Sequence, residues 1–153
     1  MSDRLKVTPV AFVALIDDQQ RVLLQRRANT DYKCGWWDLL SGHIEPGETP
    51  PVAACREALE ESGIVVRPEQ LELFNVYSHE VNPDAPYLGF IFRARTWKGE
   101  PAIQEADGKC DAMGFYALDD LPEPLTSQVV EALKNISGNE VTYSYFEPKN
   151  IGS

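Results

Sequence analysis

Three glutamates, Glu57, Glu60 and Glu61, stand close together in the segment PPVAACREALEES. On a helix that turns 100° per residue they share one arc of about 100°. Val52, Cys55, Leu59 and Ser62 then fall on the opposite side, from which Val52, Cys55 and Leu59 can pack into a core. Such a carboxylate patch is electrostatically costly. Like charges at i,i+3 and i,i+4 cost roughly 0.2–0.5 kcal/mol per pair, and negative charge in a last turn opposes the helix dipole by roughly 0.3–1 kcal/mol. A divalent cation reverses the sign of both terms, and Mg²⁺ is commonly held by one or two carboxylates together with waters and phosphate oxygens. Helix geometry alone leaves a solvated face and a metal site equally open.

The surrounding sequence decides between them. From Gly42 the chain reads GHIEPGETPPVAACREALEESGI, which fits G-x5-E-x7-R-E-U-x-E-E-x-G-U, with U aliphatic, through Gly42, Glu48, Arg56, Glu57, Ala58, Glu60, Glu61, Gly63 and Ile64. Seven fixed residues at roughly 6–7% abundance each agree by chance on the order of 10⁻⁸ per start position. The segment, residues 42–64, resembles the Nudix box of the Nudix hydrolases (MutT-like). More loosely, a strand pair ahead of it, Trp37 and the later FYALDDLP segment are also similar to that family.

The resemblance implies an α/β/α sandwich with a mixed sheet, in which the box forms a loop–helix–loop. It also implies a metal-dependent hydrolase that cleaves the phosphoanhydride of a nucleoside diphosphate linked to another moiety, with a small nucleotide such as a nucleoside triphosphate as the expected substrate. Carried over residue by residue, Glu57 and Glu61 are metal ligands, and Glu60 is a further ligand or orients the attacking water. Gly42 offers its carbonyl oxygen, a role that needs the close approach glycine permits. Glu57 and Glu60 are the catalytic carboxylates, the general base being left open between box and later loop. Glu48 and Arg56 pair to fix the loop against the helix. The implied cofactor is Mg²⁺, with Mn²⁺ as a substitute; it neutralises phosphate oxygens and acidifies a bound water. Where many relatives have Pro-Gly-Gly, this chain has Leu40-Ser41-Gly42, so the loop leading into the box is expected to differ in shape.

Outside the box, Arg27 resembles an arginine that meets substrate phosphates in some relatives; the rival is a solvated strand end. An acid from a later loop often closes the metal shell in the family. The segment Gln104-Glu105-Ala106-Asp107-Gly108-Lys109-Cys110-Asp111 offers three, of which Glu105 is chosen for its reach. Tyr32, Trp36, Trp37 and Tyr77 could stack on a base but are more commonly core or wall. His43 and His79 have no metal-ligand spacing to a partner and remain unassigned.

These residues need a scaffold. Val7 to Ile16 reads as a buried strand, Asp17 to Gln20 as a polar turn, and Arg21 to Arg27 as a second strand hairpin-paired with the first. Trp36 to Leu40 reads as a short strand. Thr49 can cap a helix over Pro50 to Ser62 with proline at its first position, and Gly63 ends it. Further strands are expected at Leu71–Glu80, Tyr87–Thr96, Gly114–Leu118 and Val141–Phe146, with a second helix at Ser127–Asn135. The class is α/β or α+β.

The 153 residues suit one domain, 1–153, and the 43% hydrophobic and 25% charged residues suit a globular protein. A formal net charge of -10 repels polyanions, so neither a nucleic-acid polymer nor an anionic membrane is an expected partner. A small nucleotide-like substrate drawn in by local cations is compatible with that charge, as is a homodimer. The apolar run Val10 to Ile16 is too short to span a bilayer. Cys34, Cys55 and Cys110 contain no CxxC pair and read as free thiols of a cytoplasmic protein. A catalytically silent Nudix-type domain that senses a nucleotide is the alternative. It would be expected to have lost box carboxylates, and this chain retains them. The box cannot choose among nucleoside triphosphates, ADP-ribose, sugar nucleotides, dinucleoside polyphosphates and capped RNA ends.

Overall fold

The computed structural model describes residues 3–80, 85–104 and 107–148. Eight strands and two α-helices follow one another as β1 (Thr8–Leu15), β2 (Arg21–Arg27), β3 (Trp37–Asp38), β4 (Leu40–His43), α1 (Pro50–Ser62), β5 (Glu72–His79), β6 (Tyr87–Ala94), β7 (Cys110–Ala117), α2 (Ser127–Leu133) and β8 (Thr142–Phe146). A mixed five-stranded sheet runs β4-β1-β6-β5-β8, and a second sheet runs β3-β2-β7.

Strand β1 organises the layers. It is buried on both faces, which its near-continuous apolar run permits. Ala11, Val13 and Leu15 enter one core with Ala53, Ala54 and Ala58 of α1. Val10, Phe12 and Ala14 enter the other with Val129, Ala132 and Leu133 of α2. The two helices therefore cover opposite faces of the large sheet, giving the α/β/α sandwich. Parallel pairing of β1 with β6, beside antiparallel pairing of β1 with β4, makes the sheet mixed.

Three sequence expectations are corrected. The first two strands do not form a hairpin: β1 pairs with β4 and β6, β2 pairs with β3 and β7, and only the bridge Ile16↔Val22 joins them. Asp17 Oδ1 accepts from the N–H groups of Gln19 (3.0 Å) and Arg21 (2.8 Å), and this tight turn sends β2 into the second sheet. The expected strand at Trp36–Leu40 is two strands in different sheets, parting at Leu39. The third correction concerns the face of α1. Val52 and Leu59 are exposed, and the helix buries Ala53, Ala54, Ala58 and Ser62 instead. Small residues face the sheet because the helix lies close over β4, leaving no room for valine or leucine. The helix termini agree with expectation: Thr49 accepts from Val52 N–H, and Gly63 takes the left-handed conformation (φ 78°) with its N–H on Leu59 O.

Candidate active site

Turning the alanine face of α1 onto β4 places two of the glutamates at the helix–sheet boundary. Glu61 Oε1 accepts from the N–H of Ser41 at 2.9 Å and from Gln25 Nε2 at 3.0 Å. One turn earlier, the carboxylate of Glu57 lies directly over the Cα of Gly42, in the space a Cβ would fill. Its Oε1 accepts from Arg56 at 2.7 Å, and its side chain is only 13% exposed. Glu60 faces solvent, 44% exposed, and meets the same Arg56 nitrogen at 3.2 Å.

Arg56 is the hub of the loop–helix unit. Its Nε donates to Glu48 Oε2 (2.7 Å), one terminal nitrogen donates to Glu48 Oε1 (3.0 Å) and the carbonyl oxygen of His43 (2.9 Å), and the other serves Glu57 and Glu60. Glu48 in turn accepts from Glu45 N–H at 2.9 Å. The hydrogen bonds from Arg56 hold the Glu48 carboxyl below its ordinary range, and those to Glu48 and Glu57 raise the guanidinium above its own. One cation thus ties the loop to the helix and offsets four carboxylates, Glu48, Glu57, Glu60 and, at 3.5 Å, Glu45.

The donor set suits a hard cation. Glu57, Glu61 and the carbonyl oxygen of Gly42 are oxygen donors gathered where α1 meets β4. Among the described residues, no three acidic, histidine or cysteine side chains are grouped to hold an ion by themselves. Oxygen donors of this kind suit a hard divalent cation that takes further oxygens from water and phosphate. Glu105, the expected further ligand, lies outside the described residues. Of its neighbours, Asp107 caps Lys109 N–H at 3.0 Å and Asp111 pairs with Arg26 at 2.7 Å.

Two cavities of about 180 Å³ each open beside this unit, and Arg27 and Ser41 line both. The first holds Glu61, Gln25, Thr30 and Cys110, with two cations, Arg27 and Lys109, in its walls. The second is a chamber walled by Phe12, Tyr32, Tyr77 and Tyr87, with His43, Asp38, His79 and Gln128 as polar groups. Between them, Arg27 Nε donates to the carbonyl oxygen of Tyr32 at 3.0 Å, and its guanidinium packs over the Tyr32 ring. Neighbouring Arg26 points the other way, to Asp111 and the Trp37 ring. Of the aromatics weighed from sequence, Trp37 is core, Tyr77 and Tyr32 are chamber wall, and Trp36 lines a separate surface groove.

Sequence reasoning missed Asp38, Lys109 and Gln128. An acid inside the apolar stretch WWDLL was a legible signal for Asp38; Lys109 and Gln128 carried none. Burial pushes the Asp38 carboxyl up to about 6, against the downward pull of Arg27, Leu39 N–H and Thr126. Burial, with Lys33 nearby, moves the His79 imidazole down from its ordinary value.

Residues 6–136 match the NUDIX domain. The chain belongs to the Nudix hydrolase family. It is 39% identical over 108 residues to the dihydroneopterin triphosphate diphosphatase of Escherichia coli strain K12, covering 63% of this chain and 68% of that one. It is 31% identical over 128 residues to the mouse 8-oxo-dGDP phosphatase NUDT18, covering 83% of this chain but only 38% of the mouse protein's length. The crystal structure of a MutT Nudix hydrolase from Burkholderia pseudomallei superposes with a TM-score of 0.77 at 31% identity, covering 86% of this chain and 98% of that one. Among the described residues, no helix of this Nudix hydrolase is long and apolar enough to cross a membrane.

Proposed function

We propose that this Nudix pyrophosphohydrolase cleaves a phosphoanhydride in the triphosphate or diphosphate of a small nucleotide-like molecule with a fused heteroaromatic ring. The observation that carries this reading is the pair of cavities joined at Arg27 and Ser41: one combines a box carboxylate with two cations, and the other is an aromatic-walled chamber. A nucleotide divides in the same way, into a polyphosphate and a flat ring. Both relatives named above act, by their names, on compounds of that shape.

Glu57, Glu61 and the Gly42 carbonyl would hold Mg²⁺ (or Mn²⁺), with Glu105 the proposed ligand from the later loop. The ion would supply charge neutralisation at the phosphate oxygens and a water of lowered pKa. The protein's own groups do the rest. Arg27 and Lys109 pair with phosphate oxygens on the cavity walls. Ser41 N–H and Gln25 keep one Glu61 oxygen fixed at the cavity wall. Arg56 orients Glu57 and Glu60, and the half-exposed Glu60 carboxylate accepts the proton of the attacking water. Glu48 acts by fixing Arg56. The same reading takes residues 1–153 as a single Nudix domain working in the cytoplasm.

The test is an assay of the purified protein with Mg²⁺ against nucleoside triphosphates, oxidised and pterin triphosphates, ADP-ribose, sugar nucleotides and dinucleoside polyphosphates, with products identified by mass. The expected outcome is turnover concentrated on the fused-ring di- or triphosphates. Preference for ADP-ribose or a dinucleoside polyphosphate would overturn the substrate class; no turnover of any would favour the silent sensor.

A further inference from the structure

The aromatic chamber contains a buried acid that hydrolysis of the polyphosphate does not employ. Asp38 is 3% exposed and sits on β3 in the chamber wall. Its Oδ1 accepts from Leu39 N–H at 2.8 Å and from the Thr126 hydroxyl at 3.3 Å, which fixes the rotamer. Its Oδ2 has the Arg27 guanidinium at 3.8 Å, beyond hydrogen-bond reach. A second polar group in the same wall is also open: His79 is 4% exposed, and its Nε2 has no hydrogen-bond partner.

Tying β3 to α2 does not explain the acid. That contact uses Oδ1 alone, and an asparagine oxygen would accept the same two bonds without the cost of burying a carboxylate. The remaining oxygen is what a carboxylate adds. It accepts hydrogen bonds and offers none, so it suits a ligand edge made of donors. Adjacent donors on a flat ring are found where a ring N–H stands beside an exocyclic amino group, the cyclic-guanidine edge of guanine and of pterins. An adenine edge turns a ring acceptor toward the carboxylate instead, and a site built for donors rejects a ligand that leaves it unpaired.

We propose that Asp38 is a specificity-determining residue, whose Oδ2 accepts from the ring N–H and amino group of a fused 2-amino-oxo heteroaromatic ring seated between the tyrosines of the chamber. This rests on the reading of the chamber as the ring-binding half of the substrate site. His79 Nε2 adds a polar contact to the same ring.

The experiment measures equilibrium binding of GMP, IMP and AMP by calorimetry in the presence of chelator, to the wild-type chain and to Asp38→Asn. GMP and IMP differ only by the amino group. A hydrogen bond to a charged acceptor predicts GMP binding at least about tenfold tighter than IMP, with AMP weaker still. Asp38→Asn should reduce GMP affinity by at least about tenfold, to the level of IMP. Equal wild-type affinity for GMP and IMP, including failure to bind either, overturns the proposal, as does an Asp38→Asn variant with the wild-type GMP/IMP ratio. A purely structural role for Asp38 would shift both ligands together and leave that ratio unchanged. Should the variant fold poorly, the wild-type ratio still decides. Because no turnover is read, the two readings fail separately. A protein that hydrolyses triphosphates regardless of the amino group keeps its function and loses this recognition; one that hydrolyses nothing but binds GMP selectively does the reverse.

Discussion

The carboxylate of Glu57 lies against the Cα of Gly42, with no room for a methyl group between them. The glycine of the 42–64 segment is thus demanded by a side chain one layer above it. The same closeness puts the Gly42 carbonyl and the Glu57 oxygens within one small region.

Gly42→Ala should therefore act on the chemistry through position. Displacing Glu57 predicts a kcat loss of about tenfold or more, since small misplacements of catalytic groups are costly. Overpacking predicts a stability loss of about 1–3 kcal/mol. Steady-state kinetics and urea unfolding measure the two separately, and wild-type kcat in Gly42→Ala would show that the Glu57 position is not critical.

Arg56→Ala should behave in the opposite proportion. It releases the bonds to Glu48, Glu57, Glu60 and the His43 carbonyl at once. The expected outcome is a fall in unfolding free energy of about 1–3 kcal/mol, a weaker apparent affinity for Mg²⁺, and a smaller loss of kcat at saturating metal than Glu57→Gln. Metal titration of activity, with thermal unfolding alongside, separates these effects.

Much of this was legible in the sequence. The spacing of Gly42, Glu48, Arg56, Glu57, Glu60 and Glu61 identified the loop–helix unit, and Thr49, Pro50 and Gly63 gave the helix its bounds, because caps are local interactions. What lay beyond local reach was partner choice. The buried face of α1 depends on how closely β4 approaches, which a helical wheel does not contain, so alanines rather than Val52 and Leu59 turned inward. Similarly, the polar turn at residues 17–20 looks like a hairpin turn, although β1 is claimed on both sides by strands distant in sequence. Asp38 and Gln128 meet in one cavity, and Lys109 joins Glu61 in the other, only through long-range packing, and no spacing rule announces either grouping.

Asp38 also makes stability depend on pH. Its folded pKa, pushed up to about 6 from 3.8, means that the folded state holds the proton more tightly than the unfolded chain. The contribution is fully present below about pH 4 and is lost as pH rises through about 6, a change on the order of 3 kcal/mol at most. Arg27, Tyr32, His43, Tyr77, His79 and Tyr87 line the same chamber. Urea unfolding from pH 4 to 7 should show the wild type losing stability relative to Asp38→Asn; a constant difference across that range would contradict the assignment.

Lys109 and Arg27 face the cavity that Glu61 lines. Lys109→Ala and Arg27→Ala should each lower kcat/KM by about tenfold or more, as expected when one charged contact to phosphate is removed. Glu131, paired with Lys134 away from this cavity, provides a control: Glu131→Gln should leave kcat/KM unchanged.

The central claim is that the carboxylates of α1 support metal-dependent cleavage of a phosphoanhydride. The most direct measurement follows release of pyrophosphate or phosphate from the best fused-ring substrate by wild type and Glu57→Gln, with Mg²⁺, with chelator, and after Mg²⁺ is restored. The predicted result is activity that vanishes in chelator, returns with the ion, and falls by about 10²-fold or more in a Glu57→Gln variant that still folds. Turnover indifferent to chelator, or near-native turnover in Glu57→Gln, would contradict it.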